Sequence, residues 1–297
     1  MAAAPLRIAT RGSELARWQA ERVASMLAAP SELVVVTTTG DRRTDVPIHT
    51  IGGTGAFVKE VEEAVLDGRA DLAVHSAKDL PSSIPESLVL AAVPERADPR
   101  DALVGTALDD LPTGARVGTG SVRRRAQLAA ARPDLLFGEL RGNIPTRVAR
   151  ARDFGAVVVA YCALQRLGLD DRAAQVLDSS VVVPQVAQGA LAVECRAHDE
   201  RVTQLLRAID DERAHRAVDA ERAFLAQLGG GCNLPCGALA TVDDDGRVAM
   251  SALLASLDGR VVLRVESSGD DPVALGVEAA RRLVVDCGGS MLLDDAA

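Results

Sequence analysis

Residues 156–161 read Ala-Val-Val-Val-Ala-Tyr, an apolar run with no charged break. A run this short and this rich in valine predicts a strand buried on both faces, as in a parallel sheet covered by helices. Moving back along the chain, Asn143 predicts the N-cap of a helix with Pro145 in its first turn, reaching about Arg152. Before it stand a strand over 135–140, a helix over 121–132 capped by Ser121, and a strand over 115–118. Residues 1–110 show the same alternation. Strands are expected over 6–10, 32–38, 71–76 and 88–93, and helices over 14–27 and 57–66, the latter closed by Gly68. Such alternation predicts an α/β protein with parallel or mixed sheets. The last third differs. Helices over 202–209 and 217–227 lead, past Gly229-Gly230-Gly231, to three alternating strands (238–242, 247–256, 260–267) joined by Asp-Asp-Gly and Leu-Asp-Gly turns. A helix over 273–285 completes a small antiparallel α+β unit.

Composition narrows the function. The 297 residues are 48% hydrophobic and 25% charged, which fits a globular protein of two or three domains and excludes general disorder. Aromatics at 2% and a net charge of −9 argue against nucleic-acid or anionic-membrane partners. No apolar run has membrane-spanning length, and the N-terminus lacks a secretory pattern. Five scattered cysteines fit reduced thiols in a cytoplasm. Lysine occurs only at Lys59 and Lys78, against 31 arginines. Residues 116–166 hold ten arginines and three acids, either an arginine-laced surface or a site for a polyanionic small molecule.

Three strand-to-helix loops carry glycine or hydroxyl residues: Thr10-Arg11-Gly12-Ser13, Gly52-Gly53-Thr54-Gly55 and Gly118-Thr119-Gly120-Ser121. Free N–H groups at such junctions bind anions, and Arg11, Arg123 and Arg124 add forked donors suited to carboxylates. None matches a dinucleotide or P-loop pattern. Ala73-Val74-His75-Ser76-Ala77-Lys78-Asp79-Leu80-Pro81 leaves a buried strand for polar residues, where open α/β sheets bind ligands. Asp79 there reads as an acid/base or cation holder, or more plainly as part of a salt-bridged turn. His75 reads as an acid/base or as a hydrogen-bonded strand histidine. The glycine-rich loop before Cys232 presents a thiol to a closely approaching ligand. Cys232 and Cys236 alone fall short of a metal's ligand count, so no metal is expected.

Taken in order, these segments resemble the porphobilinogen deaminase family, also called hydroxymethylbilane synthase. The matching stretches include Arg7–Arg11 with Ser13 and Trp18-Gln19-Ala20, 55–60 (GAFVKE), 70–81 (ADLAVHSAKDLP), 118–124 (GTGSVRR), 140–147 (LRGNIPTR) and 164–169 (LQRLGL). Gln188-Gly189-Ala190, Glu194-Cys195-Arg196, Glu221-Arg222-Ala223 and Gly230-Gly231-Cys232 complete the set. The resemblance implies two doubly wound lobes like type II periplasmic binding proteins, here 1–95 with 189–210 and 96–188, and a small α+β domain, 211–297. Crossovers are then expected near 95–100 and 184–188. It implies a cytoplasmic, monomeric enzyme that joins four porphobilinogens head to tail, releases ammonia at each joining, and frees hydroxymethylbilane with water. Its primer would be a dipyrromethane cofactor held by a thioether to Cys232.

The resemblance also distributes roles. Asp79 corresponds to the catalytic aspartate, which stabilises the electron-poor methylene-pyrrolenine left when ammonia departs. Lys78, Asp79, Thr119, Ser121, Arg123 and Arg124 correspond to cofactor contacts. Arg11, Ser13, Arg141, Arg147 and Arg166 correspond to substrate-binding residues that clamp acid side chains in a cleft. Phe57 and Lys59 lie in the segment expected to close over the site. Three positions depart from the family's pattern: Thr54 lies in a loop that often carries lysine, Gly120 replaces a common hydroxyl, and Ala187 replaces the usual glycine. A non-catalytic two-lobed sensor of a dicarboxylate is the alternative from another class, and it requires neither Cys232 nor Asp79.

Overall fold

The computed structural model describes residues 4–42, 55, 57–229 and 233–294. In chain order its elements begin with β1 (Leu6–Arg11), α1 (Glu14–Met26), β2 (Ser31–Val36), α2 (Thr39–Arg42), α3 (Lys59–Leu66), β3 (Leu72–Ser76) and β4 (Leu88–Ala92). Next come β5 (Asp101–Gly105), β6 (Arg116–Gly118), α4 (Val122–Ala131), β7 (Leu136–Gly138), α5 (Ile144–Ala149), β8 (Ala156–Ala160), α6 (Tyr161–Arg166) and β9 (Ala173–Val176). The chain continues through β10 (Leu191–Arg196), α7 (Glu200–Arg207), α8 (Glu212–Gln227), β11 (Cys236–Val242), β12 (Val248–Ala255), β13 (Val262–Gly269), α9 (Pro272–Arg281) and α10 (Ser290–Asp294). Two compact units result: Met1–Arg96 with Ala190–His215, and Ala97–Gly189 with Arg216–Ala297.

The sheet of unit 1 has the order β2-β1-β3-β10-β4, with β1 parallel to β2 and β3, and β10 antiparallel to β3 and β4. The first sheet of unit 2 has the order β7-β6-β8-β5-β9, with β5 as its antiparallel strand. Both sheets follow one scheme. The reversed strand, β10 or β5, is the first strand after the chain crosses from the other unit, and it sits between the third and fourth of the remaining strands of its lobe. This is the strand order of the type II periplasmic-binding-protein-like class. The second sheet of unit 2, β11-β12-β13, is an antiparallel meander as the turn signals predict.

The period of two along each strand builds two cores per lobe. In unit 1, Ile8, Leu72 and Val74 face α1 and α7, where Ala20, Val23, Val202 and Leu206 receive them. The alternate residues Ala9 and Ala73 face α3, against Val61, Ala64 and Val65. In unit 2, Val117, Ala156 and Val158 pack with Leu128, while Val157 and Val159 pack with Val148 and Leu164. All five residues of β8 are buried, as the apolar run predicts. Each fully buried aliphatic side chain contributes about 1.5–3 kcal/mol.

Some elements differ from expectation. The helix capped by Asn143 ends at Ala149 and tightens into a 3₁₀ turn at Arg150–Asp153. The helix starting near residue 273 is regular to Arg281, then widens into a π-turn over Arg282–Asp286. Strands β5, β9 and β10 carry no clear apolar signal, because Asp101, Gln175, Glu194 and Arg196 interrupt it.

Ala187 has a structural consequence. Its φ of 58° is left-handed, it is fully buried, and its N–H donates to Glu221 Oε2 at 2.6 Å. A Cβ in this conformation costs about 1–2 kcal/mol, while deleting a buried methyl forfeits about 0.8 kcal/mol. Ala187→Gly is therefore expected to raise unfolding stability in urea by up to about 1 kcal/mol. A clear loss of stability would show that methyl packing outweighs the backbone relief.

Candidate active site

In unit 1 the carboxyl ends of β1 and β3 open onto a cavity of about 50 Å³ lined by Arg11, Ser13, Gln19, Phe57, His75, Ser76 and Asp79, among others. Each wall has a local cause. Ser13 caps α1, accepting from the Ala16 N–H at 3.3 Å, so the positive end of that helix dipole adjoins the cavity. The amide of the buried Gln19 donates to Ser76 Oγ at 2.8 Å. Asp79 ends a 3₁₀ turn (Ala77–Asp79) that leaves β3, and its carboxylate has no ion-pair or hydrogen-bond partner among the described residues. Lys78, in the same turn, is half-buried.

Arg11 is held from two sides. Its guanidinium pairs with Asp41 of α2 and lies 4.1 Å from the centroid of the Phe57 ring. Burial pushes the Asp41 carboxyl up, but Arg11 and Thr38 outweigh it and hold it below the ordinary range. Gly40 leaves room for the ring, since a Cβ there would lie 2.1 Å from Phe57 Cε1. Lys59, by contrast, is exposed at the start of α3, 3.9 Å from Glu63.

Unit 2 carries the arginine-rich window. Thr119 and Ser121 form the loop before α4. Thr119 Oγ1 accepts from the Ser121 N–H at 3.2 Å, and Ser121 caps α4 by accepting from the Arg124 N–H at 3.4 Å. A Cβ at Gly120 would lie 3.0 Å from the Leu140 carbonyl oxygen, so a side chain there requires this backbone to give by a few tenths of an ångström. Arg123 and Arg124 are buried around Asp101, the first residue of β5. Asp101 accepts from Arg123 Nη2 at 2.7 Å, from Arg124 Nε and Nη2 at 3.1 and 2.7 Å, and from Gln188 Nε2 at 2.8 Å. Burial pushes the Asp101 carboxyl up, but the two guanidinium groups prevail and hold it far below the usual carboxylate range. Arg123 Nη1 also donates to the Val183 carbonyl at 2.6 Å, and Arg124 Nη1 to that of Val158 at 3.0 Å. Arg123 Nε remains buried without an acceptor among the described residues.

The other arginines lie on α5 and α6 and in the loop before α5. Arg166 closes α6, nine-tenths buried, and donates to the Gly189 carbonyl at 2.6 Å. Arg147 of α5 is half-buried and donates from Nε to the Gly142 carbonyl at 2.7 Å, and Arg141 is half-buried just before that helix. Structure thus gathers Arg11, Ser13, Phe57 and Asp79 at one cavity of unit 1, and Thr119, Ser121, Arg123 and Arg124 at one loop and helix of unit 2. Cys232, Gly53 and Thr54 lie outside the described residues. Two site-supporting residues escape sequence reading. Asp41 follows a short polar turn, and Asp101 opens a strand just past Asp98-Pro99-Arg100; only the nearby run of arginines hinted at a buried counter-charge.

Two lobes of this strand order, one with a polar cavity at its strand ends and one with a buried arginine cluster, define a two-lobed α/β protein. Comparison with known proteins makes the class specific. Residues 6–204 match the profile of the porphobilinogen deaminase dipyrromethane cofactor binding domain, and residues 215–284 match that family's C-terminal domain. A porphobilinogen deaminase of Roseiflexus castenholzii is 48% identical over 97% of this chain and 98% of its own. That of Moorella thermoacetica is 47% identical over 97% and 95%, and that of Brevibacillus brevis 42% over 97% and 96%. The chain belongs to the porphobilinogen deaminase family and is an enzyme. Among the described residues no helix is long and apolar enough to cross a membrane.

Proposed function

We propose that this chain joins four porphobilinogen molecules head to tail, releasing ammonia at each joining and then hydroxymethylbilane. The observation that carries this reading is Asp79, a carboxylate without a partner among the described residues, in a cavity also lined by Arg11, Ser13, Gln19 and Ser76. Arg11 binds an acid side chain of the incoming ring, with the α1 N-terminus and Ser13 as further donors. Asp79 then lies by the pyrrole N–H, where positive charge develops as the carbon–nitrogen bond breaks, and stabilises it. Phe57 supports Arg11 by stacking, and Lys59 and Phe57 belong to the segment that closes over the substrate. Arg141, Arg147 and Arg166 receive the acid groups that accumulate as rings are added.

The residues present fit a dipyrromethane. Its acid side chains suit the hydroxyls of Thr119 and Ser121 at the α4 N-terminus, and the buried Arg123 Nε lacks an acceptor among the described residues. Lys78, Asp79, Arg123 and Arg124 complete the set that would hold it, with Asp101 fixing both arginines. Bound through a thioether to Cys232, the group would supply the nucleophilic pyrrole carbon to which the first porphobilinogen is joined. The division into 1–95 with 189–210, 96–188 and 211–297 belongs to the same reading, and the three separate sheets support it. So does a cytoplasmic monomer; the four free cysteines among the described residues support the cytoplasmic part.

Intact mass under denaturing conditions tests the attachment. The purified chain should exceed its polypeptide mass by two pyrrole units, and Cys232→Ala should remove the excess. An adduct surviving in that variant would overturn the assignment of Cys232. A two-lobed dicarboxylate sensor is not favoured, since it leaves Asp79 without a task.

A further inference from the structure

One buried titratable group of unit 1 has no part in the reading above. Glu194 of β10 is fully buried, and no donor among the described residues makes a hydrogen bond to either of its oxygens. The nearest group is the imidazole of His75, whose Nε2 lies 3.2 Å from Glu194 Oε2 but out of line for a hydrogen bond. Strand register explains the meeting. Ala192 faces His75 and Glu194 faces Ala73, so the two side chains share one face of adjacent antiparallel strands, one diagonal step apart. Glu62 of α3 joins them, itself buried with Oε1 lacking a donor. Burial and then Glu194 push the Glu62 carboxyl up, with His75 pulling the other way. Burying two acids without donors costs stability, so packing alone does not account for the cluster.

His75 also lines the cavity that holds Asp79, Arg11 and Ser13. At 3.2 Å, a small turn of either side chain aligns a proton between Nε2 and Oε2, which satisfies both atoms and leaves Nδ1 as the ring nitrogen able to exchange a proton. The reaction needs such a group. Asp79 must stay ionised beside the cationic ring, so it cannot also keep the proton that each joining sets free.

We propose that Glu194 is a positioning residue that holds His75 in its Nε2–H form, and that His75 takes the ring proton lost when two pyrroles are joined. The proposal rests on the porphobilinogen reading. In each round the carbon–nitrogen bond of the aminomethyl group breaks, its electron pair leaving on ammonia. A carbon–carbon bond then forms at the free α-carbon of the neighbouring ring. The α-carbon–hydrogen bond breaks, its electrons restore the aromatic ring, and the proton passes to His75 Nδ1. From the imidazolium the proton passes to ammonia, which leaves as ammonium, so atoms and charge balance.

Two measurements test this. In the unaltered chain, which has four histidines, ¹⁵N NMR of the ring nitrogens should show His75 with Nε2 protonated and Nδ1 bare. A proton on Nδ1 with Nε2 bare overturns the proposal, and this result does not depend on any variant folding. In the cofactor-bearing enzyme, Glu194→Gln should lower kcat by about tenfold to a hundredfold, with KM little changed. Porphobilinogen deuterated at its free α-carbon should then react several-fold more slowly in the variant, with little isotope effect in the parent. Glu194→Asp, which keeps the carboxylate, should recover part of the rate. A folded, cofactor-bearing Glu194→Gln enzyme with parental kcat and no isotope effect overturns the proposal. If the parent itself releases no ammonia from porphobilinogen, the functional reading fails, an outcome the NMR result distinguishes.

Discussion

Replacing Asp79 by asparagine is expected to leave a folded protein that still carries its cofactor but turns over at least about 100-fold more slowly. The side chain is half-buried on a short turn, and its carboxylate supports no other described residue, so the amide fits without disturbing the fold. Arg11, Ser13 and Gln19 continue to bind the acid side chains, so KM changes little. What disappears is an interaction strongest in the transition state, when the departing ammonia leaves positive charge on the ring. Steady-state kinetics on a variant of verified cofactor mass makes the comparison. Near-normal kcat in that variant would remove Asp79 from its role.

Asp101→Ala should have the largest effect on folding. The substitution leaves Arg123 and Arg124, both nearly fully buried, without the carboxylate that each grips, and it also releases Gln188. Breaking one partner of such a buried ionic set typically costs about 3–5 kcal/mol. Urea denaturation should show a loss of that order, together with a lower cofactor content, because Arg123 and Arg124 start the helix capped by the Thr119–Ser121 loop. The pH dependence has a defined sign. The folded-state carboxyl lies below its unfolded value, so its contribution is complete above about pH 4 and is lost as pH falls toward the depressed folded value. An Asp101→Ala protein as stable as the parent would mean that water or a rearranged acid replaces the carboxylate.

How much of this was legible beforehand follows from where side chains face. Strands such as β8 and helices such as α1, α4 and α5 could be read because their period, caps and prolines are local signals. Ser13, Ser121 and Asn143 all cap the helices that follow them. Strands β5 and β10 could not be read this way. Each carries a buried acid, Asp101 or Glu194, whose burial depends on partners 22 to 119 residues away in sequence. The arginine-rich window was visible as charge, but not that Arg123 and Arg124 turn inward onto Asp101 while Arg141 and Arg147 stay half-buried. Ala187 stood out as a departure from a family pattern, and its left-handed backbone supplies the physical reason glycine suits that position.

The most direct test of the functional account is stoichiometry. Purified chain given excess porphobilinogen should release four ammonia molecules for every hydroxymethylbilane formed, with substrate consumption in the same ratio to product. Saturable binding of porphobilinogen with no ammonia released would contradict the account and would describe a two-lobed dicarboxylate sensor instead.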